Sequence, residues 1–288
     1  MSESKLLLCT DMDRTLIPNG TQPEHPFARS RFYDFCQLPG VVLVYVTGRH
    51  EALAREAISN YSLPTPAYVI SDVGTKIYGI EGNLWQPIKS WEEEIDRDWN
   101  GQDHAMLEDL LSEFRELRIQ ERSKQNSHKL SYYISLKSDH DTLMKEMEKR
   151  LNQKGVKASL VYSVDESEGI GLLDILPRNA TKVHAIIYLQ EYLSFEKDDV
   201  FFSGDSGNDL VVMGSPVPSV LVCNASNDVR NAAVELAASE GNSESLYLAT
   251  GENSDMNGNY SAGILEGIGY FKPVYREYLE KSGFTYDS

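Results

Sequence analysis

The sequence predicts an α/β protein: a Rossmann-like, doubly wound parallel-sheet core carrying an inserted, smaller α/β cap domain. Short apolar runs at residues 6–9, 41–46 and 68–70 alternate with helical stretches at 27–37 and 51–61, the grammar of βαβ units with right-handed crossovers. Polar clusters follow the apolar runs rather than interrupt them, which puts them at the carboxyl ends of strands, where ligands bind in open parallel sheets. Between residues 83 and 169 the pattern changes: a charged helical stretch over 103–117 precedes a strand at 129–136, a helix at 139–154 and a strand at 158–163. A parallel pattern resumes with a strand at 171–176, a helix at 181–193 and strands at 200–203 and 219–223. The chain of 288 residues exceeds the usual size of one hydrophobic core, so the expected organisation is core 1–82, cap 83–169 and core 170–288.

The first apolar run opens into Asp11-Met12-Asp13-Arg14-Thr15-Leu16. Two carboxylates one residue apart at the end of a buried strand are poor packing, because Asp is rarely buried without a partner. A divalent cation is the natural partner, since Mg²⁺ takes oxygen ligands from one or two carboxylates, with phosphate and water completing its shell. Taken alone, the pair reads equally well as an Asx-rich turn. Three later motifs, in a fixed order, give it weight: Thr47-Gly48-Arg49 after the second strand, Lys182 opening a helix, and Gly204-Asp205-Ser206-Gly207-Asn208-Asp209 after the strand at 200–203. Singly, Thr47 would be a helix N-cap and Lys182 a solvated helix residue.

Together these four motifs resemble those of the haloacid dehalogenase superfamily of phosphotransferases, in the same order. The resemblance implies Asp11 as nucleophile, Asp13 as general acid and base, and Thr47, Gly48 and Arg49 with the following N–H groups around the phosphoryl oxygens. It also implies Lys182 as the compensating charge, and Mg²⁺ held by Asp11, Asp205, Asp209 and the Asp13 backbone carbonyl. Ser206 and Asn208 would orient these ligands, Asn208 beside the substrate. Three further segments are similar to the sucrose-phosphate phosphatase family: Asp72-Val73-Gly74-Thr75-Lys76-Ile77-Tyr78, Lys129-Leu130-Ser131-Tyr132-Tyr133, and Asp174-Ile175-Leu176-Pro177 followed by Lys182. Residues 260–268 resemble a segment that closes the core there. By this likeness Asp72, Gly74, Thr75, Lys129, Ser131, Tyr133 and Asn224 would contact substrate. Of Tyr132 and Tyr133, adjacent on a strand, one packs and the other faces a pocket.

The expected substrate is a small sugar phosphate, sucrose 6-phosphate foremost. Glucosylglycerol, mannosylfructose or trehalose phosphate are the rivals, because the core motifs handle only the phosphoryl group that all share. A non-catalytic phosphatase-like module is disfavoured by the intact acidic residues and lysine. Two departures stand out: Arg14 occupies a position where the family often has Asn or His, its charge there either biasing substrate or pairing with a neighbouring acid, and Thr181 and Val183 flank the motif lysine.

With 27 basic and 44 acidic residues the net charge is −17, which argues against nucleic acid or an anionic membrane as partner. No signal peptide or membrane span is expected. Three cysteines, an odd number with two in apolar runs, read as reduced residues of a cytoplasmic protein, and a monomer is the simplest expectation. The acidic tract 91–98 and the loop 251–259 carry no motif and are expected as solvated surface.

Overall fold

A computed structural model describes residues 5–165, 168–252 and 256–281. The chain forms two compact units, residues 1–87 with 182–288, and Ile88–Thr181.

The larger unit is built on an eight-stranded sheet ordered Leu246–Leu248, Ser219–Leu221, Val200–Gly204, Leu6–Thr10, Val41–Val46, Tyr68–Ser71, Lys76–Glu81 and Leu84–Pro87. The first six are parallel and the last two form an antiparallel hairpin at one edge. Leu6–Thr10 is buried along its whole length, as a strand covered on both faces must be, and so it reads as a continuous apolar run rather than an alternating one. From it the chain winds first to one side, through Val41–Val46 and Tyr68–Ser71, and later to the other, through Val200–Gly204. The order therefore reverses at Leu6–Thr10, and the crevice at a topological switch point opens beyond its carboxyl end. The Asp11 N–H donates to the Ser203 carbonyl (2.8 Å), continuing the ladder one step past the strand.

The helix Ser261–Phe271 is buried from Ser261 to Gly269. Gly267 permits this: a Cβ there would lie 2.6 Å from the Val220 Cβ, so only glycine lets the helix close on the strand Ser219–Leu221. Glu266 on this helix is 1 % exposed and accepts from the Tyr247 hydroxyl and from the Thr250 and Gly251 N–H groups, which satisfies the buried carboxylate without a cation.

The inserted unit has a four-stranded antiparallel sheet ordered Arg118–Ile119, Leu130–Ile134, Ile170–Pro177 and Ala158–Asp165. Its core joins Trp99, Leu107, Leu130, Tyr132, Met147, Leu151, Leu173 and Ile175.

Several expectations are corrected by the structure. The strand expected at 171–176 in the parallel core is Ile170–Pro177, which pairs antiparallel with two strands of the insert. The insert thus runs to Thr181 rather than to residue 169, and starts at Ile88 rather than 83; a short apolar run does not reveal which strands it pairs with, and this one alternates half-buried and buried residues from Ile170 to Ile175. The helix expected at 103–117 is helical only over His104–Leu110. Beyond it come single turns with i to i+3 hydrogen bonds at Ser112, Phe114 and Leu117, which keep the three-residue apolar spacing without an α-helix. The acidic tract 91–98 is not solvated throughout, because Trp91 and Ile95 are fully buried and Asp98 is 4 % exposed. Asp98 accepts from the Asn179 N–H (2.7 Å) and Nδ2 (3.2 Å). In the loop 251–259, Met256, Gly258 and Asn259 are buried, while residues 253–255, like residues 1–4 of the N-terminal segment expected to carry no signal peptide, lie outside the described residues. No helix among the described residues is long and apolar enough to cross a membrane.

Candidate active site

At the switch point the chain brings together Asp11, Asp13, Thr47, Arg49, Lys182, Asp205, Asn208 and Asp209. Lys182 is the hub. Its helix Lys182–Tyr192 begins with it, its side chain has no solvent exposure, and its Nζ donates to Asp11 Oδ1 (2.8 Å), Asn208 Oδ1 (2.7 Å) and Asp209 Oδ1 (2.6 Å). All three ammonium protons are thereby used. Burial alone would pull this amine down, but the carboxylates of Asp11 and Asp209 outweigh it and hold it up.

Asp11, Asp205 and Asp209 are all buried and offer oxygens within 4.8 Å of one another. Burial pushes the Asp11 carboxyl up against the pull of Lys182, with the charges of Asp209 and Asp205 adding to the rise. Asp205 is pushed up to about 6, chiefly by burial and then by Asp209, against hydrogen bonding from Thr15 and the charges of Arg14 and Lys182. Three carboxylates facing one lysine are an incompletely compensated set, whose electrostatics a bound cation would complete. The loop carrying Asp205 and Asp209 is tied together by its own residues. Asp209 Oδ2 accepts the N–H groups of Asp205 (3.1 Å) and Ser206 (3.0 Å), and Gly204 leaves room for it, since a Cβ there would sit 2.5 Å from Asp209 Cγ.

Asp13 stands apart from this trio. Arg49 grips its carboxylate through Nε to Oδ2 (2.7 Å) and a terminal nitrogen to Oδ1 (2.6 Å), and Asn19 Nδ2 donates to Oδ1 (2.8 Å). Burial would raise this carboxyl, but the Arg49 fork and charge, then Asn19, hold it below the usual range. The cation role expected of Asp13 was through its backbone carbonyl; its carboxylate is not among the clustered three. Thr47 is 1 % exposed, and its Oγ1 accepts the Arg49 N–H (3.1 Å), so the hydroxyl shapes the turn instead of capping the helix Glu51–Asn60, whose N-cap is His50. The expected segment Asp72, Gly74 and Thr75 borders this turn: the Asp72 N–H donates to Arg49 O and the Val73 N–H to Thr47 O. Asp72 and Val73 have positive φ, 48° and 60°, a strained pair followed by Gly74 at 107°, which the tie to Thr47-Gly48-Arg49 and the Thr75 Oγ1 bond to Asp72 O (3.2 Å) hold in place.

Asn224 lies beside the site as a bracket. Its Nδ2 donates to Arg14 O (2.6 Å) and its Oδ1 accepts the Tyr260 N–H (2.9 Å), so its amide is already occupied by backbone. Thr15 and Asn19 make contacts that sequence reasoning did not anticipate, Thr15 Oγ1 donating to Asp205 Oδ1 (3.2 Å), whereas Arg14, expected to bias substrate or pair with a neighbouring acid, pairs through Nε with Asp205 Oδ2 (3.3 Å). Only the unusual Arg in the first motif signalled any of this.

Lys129, Ser131 and Tyr133 belong to the insert. Ser131 Oγ donates to Asp174 Oδ1 (2.5 Å) and Lys129 Nζ lies 3.5 Å from Asp174 Oδ2, so both converge on one carboxylate. Tyr132 is the packed tyrosine of its pair. Tyr133 donates its hydroxyl to Glu121 (2.7 Å) and lies under the Arg118 guanidinium.

The profile of a family described as sucrose-6F-phosphate phosphohydrolase matches residues 4–272. The chain belongs to this family. The sucrose-6F-phosphate phosphohydrolases are phosphoric monoester hydrolases of the haloacid dehalogenase fold, with a parallel core and an inserted α/β unit. A Nitrosococcus oceani protein bearing only the general designation HAD-like hydrolase is 48% identical over 278 residues, 96% of this chain and 75% of that protein. Sucrose-phosphatase 2 of Nicotiana tabacum is 29% identical over 274 residues, 93% of this chain but 60% of the plant protein. Among solved structures, the sucrose-phosphatase of Synechocystis sp. PCC6803 in complex with sucrose and phosphate has a TM-score of 0.70 at 25% identity, covering 93% of this chain and 98% of that one.

Proposed function

We propose that this chain is a Mg²⁺-dependent phosphatase acting on a sugar phosphate, foremost sucrose 6-phosphate, through a phosphorylated Asp11. The observation that carries the proposal is the buried Lys182 Nζ, 2.8 Å from Asp11 Oδ1, beside three carboxylates with oxygens within 4.8 Å of one another. The donor set suits a hard divalent cation: it is all oxygen, free of sulfur and imidazole, and two negative charges in excess of Lys182. Asp11, Asp205 and Asp209, with the Asp13 carbonyl, would hold Mg²⁺, which would stabilise the charge on the transferring phosphoryl oxygens.

The chain's own residues supply the rest. An Asp11 oxygen bonds to phosphorus as the bond from phosphorus to the sugar oxygen breaks, and that oxygen takes its proton from Asp13. Water then attacks phosphorus, Asp13 takes the water's proton, and the bond to Asp11 breaks. Asp13 can donate only after the Arg49 fork opens, and phosphoryl oxygens are the alternative partner for that guanidinium. Lys182 orients Asp11 and offsets the developing charge. The sugar itself is assigned to residues of the insert, where Asp174 gathers Lys129 and Ser131, and sucrose is favoured by the sucrose-phosphatase relatives. The three unpaired cysteines fit a cytoplasmic enzyme.

The test is phosphate release from sucrose 6-phosphate. Activity should require Mg²⁺, vanish with chelator and return on adding the ion, and Asp11→Asn should lower turnover by about a thousandfold or more. Wild-type turnover in Asp11→Asn would exclude the phosphorylated intermediate, and activity in chelator would exclude the cation.

A further inference from the structure

We infer that Arg14 trades affinity for the cation against affinity for the phosphate group, by placing a fixed positive charge beside Asp205 Oδ2. The inference rests on reading Asp11, Asp205 and Asp209 as cation ligands. Arg14 has φ 56°, the left-handed region, where Gly or Asn sits at less strain than a long side chain. Both of its backbone groups are pinned there: its N–H donates to Asn19 Oδ1 (2.8 Å) and its carbonyl accepts from Asn224 Nδ2 (2.6 Å). The backbone so held aims the side chain at the acidic cluster, where Nε meets Asp205 Oδ2 at 3.3 Å and a terminal nitrogen reaches Asn224 O at 3.4 Å. The Arg14 side chain is 46% exposed against 4% for Asp205, so the pair adds little to stability. Its consequence is electrostatic.

With its carboxylates ionised, as cation binding requires, the trio exceeds Lys182 by two negative charges, and Arg14 cancels one of them. A doubly charged ion then enters a site carrying one negative charge and leaves it one charge positive, which suits a phosphate dianion. Without Arg14 the loaded site would be neutral. The same side chain therefore opposes the cation and favours the anion.

The test is calorimetric titration of chelator-stripped protein with Mg²⁺, followed by inorganic phosphate at saturating Mg²⁺, for wild type, Arg14→Gln and Arg14→Lys at one ionic strength. Arg14→Gln should bind Mg²⁺ roughly fivefold to tenfold more tightly and phosphate several-fold more weakly, the size of a unit charge acting a few ångström away in a largely aqueous setting. Arg14→Lys, which keeps the charge, should stay within about twofold of wild type for both ligands. Unchanged constants in Arg14→Gln, changes of the same sign for both ligands, or Arg14→Lys behaving like Arg14→Gln would each overturn the inference. Wild type failing to bind Mg²⁺ would overturn the cation reading beneath it, whereas tight Mg²⁺ binding indifferent to Arg14 would remove this inference alone.

Discussion

Asp205→Asn should stabilise the metal-free protein while abolishing most of its response to Mg²⁺. The Asp205 side chain is 4% exposed, and its carboxyl is raised from 3.8 to about 6, by burial first and the Asp209 charge second. A folded-state value above the unfolded one means that ionisation opposes folding. The penalty is absent below about pH 4, grows through the window to about pH 6 and is constant above it. Its full size is about 3 kcal/mol at neutral pH. Asn keeps the volume and can still accept the Thr15 hydroxyl, so the substitution removes charge more than packing. Urea unfolding followed by circular dichroism in chelator at pH 7.5 should place the variant midpoint higher by roughly 1 M, and the advantage should shrink as the pH falls towards 4. Added Mg²⁺ at a hundred times its dissociation constant should stabilise wild type by about 2.7 kcal/mol and the variant far less. A variant less stable than wild type in chelator at pH 7.5, or an offset that persists unchanged at pH 4, would refute the reasoning.

Other consequences arise from single contacts. Lys182→Met removes the partner of two buried carboxylates and should lower stability in chelator by about 3–5 kcal/mol at pH 7.5, with recovery as the pH falls and those carboxyls protonate; a loss under about 1 kcal/mol in urea melts would contradict this. Gly204→Ala places a Cβ 2.5 Å from Asp209 Cγ, so Asp209 must move, and both the Mg²⁺-induced rise in melting temperature and turnover should drop sharply. An unchanged Mg²⁺ response would show that Asp209 is not a ligand. Lys129→Ala should reduce kcat/KM for the sugar phosphate by about tenfold, near 1.4 kcal/mol, yet spare p-nitrophenyl phosphate; equal losses on both would mean that the substitution acts on the fold.

Much of the core was legible because chemistry and periodicity coincide there. The strand Val41–Val46 and the helix Lys182–Tyr192 lie where apolar spacing and the motif lysine place them, and the acidic pairs at strand ends read as a site because they fall in a fixed order with Thr47 and Lys182, although one pair alone reads equally well as an Asx-rich turn. Lys182, ambiguous as an isolated residue, becomes distinctive only in three dimensions, where its ammonium meets three acceptors. What sequence did not show was pairing. Ile170–Pro177 reads as a buried strand, but its partners decide to which sheet it belongs. The hairpin of Lys76–Glu81 and Leu84–Pro87 depends likewise on edge pairing. Trp91, Ile95 and Asp98 were hidden in a charged tract because a narrow apolar stripe can bury a helix whose average is polar. The Asp13–Arg49 fork and the Arg14–Asp205 pair join loops distant in sequence, and no local pattern encodes such a contact.

The most direct test of the central claim is catalytic efficiency of phosphate release at fixed Mg²⁺ across sucrose 6-phosphate, glucosylglycerol phosphate, mannosylfructose phosphate, trehalose 6-phosphate and glucose 6-phosphate. Specificity is the ratio of kcat/KM values. The account predicts a preference for sucrose 6-phosphate of roughly a hundredfold, about 2.7 kcal/mol of differential transition-state binding. A flat profile, or a stronger preference for another member of the panel, would contradict it.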